Sequence, residues 1–92
     1  MFNIVGGWNQ DRRLYWTGKG FSQVQGNGQQ YATERKAIAI ATHLKTVHPS
    51  MFVEIVNGET GETVLLMVVC NGAISTALPQ SWEELRKKGF TR

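Results

Sequence analysis

The side chains best suited to gripping another molecule are gathered in the stretch DRRLYWTGKGF, from Asp11 to Phe21: Arg12, Arg13, Tyr15, Trp16 and Lys19. Guanidinium and ammonium groups bind phosphates and carboxylates, while aromatic rings stack on bases or anchor protein interfaces. The competing role for the same cations is solubility, because hairpins carry Arg and Lys on their solvent face to discourage edge pairing. Arg86, Lys87 and Lys88 form a second basic cluster, at a helix C-terminus that attracts cations in any case.

Bond-making chemistry has little material to work with. Asp11 is the sole aspartate, so a carboxylate pair for acid–base work would have to come from glutamates, which fall in turns and on helix surfaces. His43 and His48 lie roughly 140° apart around a helix, whereas two metal ligands on one helix are usually spaced about four residues apart. The glycines around Lys19 are far short of the phosphate-loop pattern GxxxxGK[ST]. Cys70 has apolar neighbours and is expected to be a buried, inert thiol, as suits a reducing compartment. The expectation is a non-enzyme with no cofactor, no metal and no small-molecule substrate.

KGFSQV, residues 19 to 24, bears comparison with the RNA-recognition signature K/R-G-F/Y-G/A-F-V-x-F/Y. Lys19, Gly20, Phe21 and Val24 match, but Gln23 replaces a stacking aromatic and Gly26 stands where the last aromatic belongs. The segment also precedes every helix, whereas the signature lies on a strand after one. That family is rejected.

The elements that must position these residues are legible from their punctuation. Phe2–Val5 is β-prone and ends at Gly6–Gly7, and Arg13–Thr17 and Phe21–Val24 flank Gly18-Lys19-Gly20 as a hairpin. Within it Leu14 and Trp16 share one face, Arg13, Tyr15 and Thr17 the other, and Lys19 sits at the tip. QVQGNGQQ, residues 23 to 30, reads as a flexible polar connection. Thr33 caps a helix to about Val47, with Ala37, Ile40, Ala41, Leu44 and Val47 on its apolar stripe and Lys45 largely away from it, and Pro49 stops it. Met51–Asn57, Thr63–Cys70 and Ala73–Ala77 form a meander through GETG and Asn71-Gly72, with VLLMVVC as a central strand covered on both sides. Ser81 and Glu84 match a capping box for a helix over about 82–88, which Gly89 and Phe90 close as a Schellman motif.

These readings assemble into one α+β domain, 1–92: an antiparallel sheet of five or six strands, one long helix (about 33–47) on one face and a short C-terminal helix (about 82–88). The long helix covers one face only. Either the short helix, through Trp82, closes the other, or an apolar patch is left for a partner. The apolar share of 41% and charged share of 18% exclude the signature of disorder, and the net charge of +3 favours anionic partners only modestly. The longest apolar run, Val64–Cys70, is too short for a membrane span, and no leader pattern is seen, so a soluble intracellular protein is expected.

LYWTGKGFS, leading through a polar loop to YATERKAIAIATHLK, resembles the small accessory proteins of bacteriophages. In length and element order the whole chain is most similar to phage anti-CRISPR proteins directed at type I-F surveillance complexes. The likeness is one of plan, since those inhibitors share no diagnostic motif and no residue role transfers. It implies a non-enzymatic inhibitor in the host bacterial cytoplasm, docked on Cas proteins of a crRNA-guided complex, with crRNA as a further contact, blocking target DNA binding or hybridisation. The positive charge argues against the DNA mimicry of strongly acidic inhibitors. The candidate binding residues are Arg12, Arg13, Tyr15, Trp16, Lys19, Arg86, Lys87 and Lys88. The alternative is a small phage accessory protein that binds single-stranded nucleic acid directly.

Overall fold

A computed structural model describes all of residues 1–92. Six strands form one antiparallel sheet: β1 (Phe2–Gly7), β2 (Leu14–Trp16), β3 (Phe21–Ser22), β4 (Phe52–Asn57), β5 (Thr63–Cys70) and β6 (Ala73–Ala77), in the spatial order β3-β2-β1-β4-β5-β6. Helices α1 (Glu34–Val47) and α2 (Trp82–Lys87) complete the α+β domain. None of its helices is long and apolar enough to cross a membrane.

Alternation along the strands sorts side chains onto two faces. Ile4, Val53, Ile55, Leu65 and Met67 meet Ala37, Ala41 and Leu44 of α1 in the larger core. Thr33 caps that helix, its hydroxyl accepting from the Lys36 amide at 3.2 Å. The stripe is rotated from the expected one, however. Val47 is 54% exposed, whereas Lys45 is buried and its ammonium donates to the carbonyl oxygens of Pro49 (3.1 Å) and Met51 (2.5 Å). At 3.6 residues per turn Lys45 stands one turn beyond Ala41 and so extends the buried stripe, and the bend at Pro49 brings the carbonyls that satisfy it.

The opposite face carries two smaller clusters. Val5, Phe52 and Val56 pack with Tyr15, and Leu66, Val68 and Ala77 pack under Trp82, Leu85 and Phe90. Trp82 therefore docks back on the sheet. The exit from α2 is a Schellman motif: the Phe90 amide donates to the Leu85 carbonyl (3.1 Å), Gly89 to Arg86 (3.2 Å), and Gly89 takes φ +97°. The entry departs from the expected capping box. Ser81 already has helical φ/ψ and its side chain makes no capping bond, because Pro79 starts a 3₁₀ turn over Pro79–Ser81 that leads straight into α2.

QVQGNGQQ is an exposed connection, as expected, with one short 3₁₀ turn over Gln25–Asn27, but its end is docked on the sheet. The Gln29 amide donates to the Trp16 carbonyl (2.8 Å), and buried Asn3 donates through its Nδ2 to the Gln29 carbonyl (3.2 Å). Tyr31 then bridges Phe2 in both directions at 2.8 Å, covering the part of β1 that β2 is too short to pair.

Candidate functional site

Around the Trp8–Arg13 connection between β1 and β2 lie three adjoining surface depressions, of about 250, 290 and 340 Å³. The connection is held by Asn9. Its side-chain Oδ1 accepts from the Asp11 amide (2.9 Å) and its carbonyl from the Arg12 amide (2.9 Å), a turn that asparagine favours because it satisfies backbone locally. Trp8 leaves this turn 63% exposed, its ring edge-on to His48 at 6.1 Å between centroids. It lines one depression with Asn9, Arg12, Leu14 and Gln23, and Arg12 also lines the next.

The remaining depression is built on a buried charge. Glu54, in the middle of β4 and 6% exposed, points to the α2 side of the sheet. Its Oε1 accepts from Arg13 Nη2 (3.1 Å) and from the Thr63 hydroxyl (3.0 Å), and its Oε2 accepts from Arg92. Thr63 reaches it because the register slips between Ile55 and Val56, leaving Val64 as an extra residue and turning Thr63 to the face of Glu54. Arg92 is delivered from the other side. Thr91 pairs with the backbone of Val69 (2.7 and 2.8 Å) where β4 has ended, and the Arg92 guanidinium lies 5.7 Å from the centroid of the Trp82 ring. Burial first, and the nearby Arg13 second, pull the pKa of Arg92 below its ordinary value. The network ties the first connection of the chain, β4 and the segment after α2 into one block.

The eight residues nominated from sequence do not form one patch. Arg12 is exposed on the connection, while Arg13 is engaged by Glu54. Tyr15 and Trp16 go to opposite faces and are half-buried: Tyr15 packs on Val5, Phe52 and Val56, and Trp16 meets Phe21 edge-on at 5.2 Å against the larger core. Lys19 is exposed at the hairpin tip, held by the Thr17 hydroxyl, and the β2 strand of roughly 10 Å separates that tip from Arg12. Arg86 pairs with Glu83 (2.7 Å), and Lys87 at the end of α2 and Lys88 at its C-cap are exposed beside it. The candidate residues nominated from sequence did not include Trp8, which the structure leaves exposed. The signal was its place, directly after Gly6-Gly7 and before the polar run Asn9-Gln10-Asp11, where an aromatic has no core to enter. No known protein family, curated protein or solved structure matches the chain.

Proposed function

We propose that the protein is a non-enzymatic inhibitor of the phage anti-CRISPR kind, working in the cytoplasm of a host bacterium. In this reading its β1–β2 connection docks on a crRNA-guided Cas surveillance complex of type I-F and blocks target DNA binding or hybridisation. The observation that carries the docking is an exposed tryptophan beside a free arginine, which between them line two adjoining depressions. Trp and Arg dominate the energetics of protein interfaces, and a neighbouring groove gives a partner side chain somewhere to seat. The Asn9 turn and the Arg13–Glu54–Arg92 network hold the connection before any partner arrives, which reduces the ordering cost of association. The choice of a Cas complex as target rests on the resemblance of the chain in length and element order. With Arg12 unpaired and two arginines, Arg13 and Arg92, sharing the one carboxylate of Glu54, the surface around the connection suits an acidic protein surface or the crRNA backbone.

The test is affinity capture from cells with an active type I-F system. Tagged protein is expected to recover Cas subunits with their crRNA, and Trp8→Ala combined with Arg12→Glu to lose them while remaining folded. Undiminished recovery by that variant would remove the connection from the interface. A gel shift with bare oligonucleotides separates the alternative: a shift that weakens steeply with salt would assign direct single-strand binding instead.

A further inference from the structure

The sheet manages its open edges with care, with one exception. Tyr31 covers the free part of β1, Thr91 covers the free part of β5, and the β3 edge is only the Phe21–Ser22 pair. The other outer strand, β6, is AISTA: five residues without a charge or a proline, of which Ala73, Ser75 and Thr76 are exposed. An edge of this length that lacks Lys, Pro, a bulge or a cover is a template for pairing.

Its register says what it would pair with. The Asn71-Gly72 turn, with φ +51° and +80°, is a two-residue hairpin loop, so Cys70 and Ala73 exchange the first pair of hydrogen bonds with each other. Alternation then points the amide and carbonyl of Ser75 toward β5 and those of Ile74 and Thr76 outward. Set antiparallel against its own copy about Ser75, β6 places Ile74 opposite Thr76 and Ala73 opposite Ala77. The outward groups of Ile74 and Thr76 meet in about four backbone hydrogen bonds. Side chains agree as well: two β-branched residues pair on the α1 face, small ones on the other, and no like charges meet.

We propose that β6 is a homodimer interface, in which two copies join edge to edge across a two-fold axis at Ser75 and form one continuous sheet. This contact is isologous, as two-fold dimers require. It lies at the far side of the sheet from β2, so both β1–β2 connections stay free and the dimer would present them bivalently.

Light scattering over about 1 to 300 µM protein tests it, since a dimer of this kind is concentration-dependent. Dimer is expected to grow with concentration for the wild type, and Thr76→Lys, a change at an exposed position, to weaken it by at least about tenfold. Ser75→Cys in a Cys70→Ser background is expected to form a disulfide-linked dimer under mild oxidation, because a non-hydrogen-bonded pair brings its Cα atoms to about 4.5 Å. A wild type that stays monomeric throughout, a Thr76→Lys variant that dimerises as tightly, or a Ser75→Cys variant that does not cross-link would each overturn the proposal.

Discussion

Glu54 is the residue on which the candidate site is built. A buried carboxylate is costly unless its oxygens are fully engaged, and here Arg13, Thr63 and Arg92 engage them. Glu54→Gln keeps the shape and removes the counter-charge from two arginines. It is expected to lower stability by about 2 kcal/mol, discounted from a fully buried pair because Arg13 is partly in water, and thermal melting reads it as a fall of roughly 10 °C. Arg12→Glu, at an exposed and unpaired position, should leave that melting temperature within about 2 °C of the wild type. Lys45 gives a pH signature. Burial lowers its pKa below 10.5, so between that lowered value and 10.5 the unfolded chain holds the proton that the folded chain has released. The Lys45 contribution to stability therefore rises with pH through this alkaline window. Denaturation at several pH values, compared with Lys45→Met, should show the rise in the wild type alone.

Among the elements, α2 decides how the second face is closed. With a mere six residues it has little stability of its own and depends on Trp82, Leu85 and Phe90 packing over Leu66, Val68 and Ala77. Phe90→Ala removes the closing contact of the Schellman motif and part of this cluster. A loss of about 2 kcal/mol is expected, below the range for a fully buried Phe, along with faster hydrogen exchange in α2 than in α1. Elements marked by strong local chemistry were legible in the sequence: the Thr33 cap, the Asn71-Gly72 turn, the Gly89 exit and the hairpin around Lys19 all stand where their residue types put them. What local chemistry does not encode was misjudged. Docking of Gln29 depends on Asn3, distant in sequence, and the burial of Lys45 depends on carbonyls beyond the helix. The partners of Glu54 come from three separate segments, and the bulge that turns Thr63 toward it has no mark in the residue types.

At the scale of the whole molecule, α1 packs on one face of the sheet, and α2 covers Leu66, Val68 and Ala77 on the other, where Tyr15 packs on Val5, Phe52 and Val56. Met1, Trp8, Val24, Val47 and Leu78 remain exposed, and Trp8, at the β1–β2 connection, is the one aromatic among them. If this connection binds a macromolecule, loss of Trp8 must lower affinity. Isothermal titration of purified type I-F surveillance complex with the wild type and with Trp8→Ala is the direct measurement. A saturable complex is expected for the wild type and at least about a thirtyfold weaker one for Trp8→Ala, the loss when a central anchor of about 2 kcal/mol is truncated. Equal affinity for the two proteins, or no heat of binding for either, would contradict it.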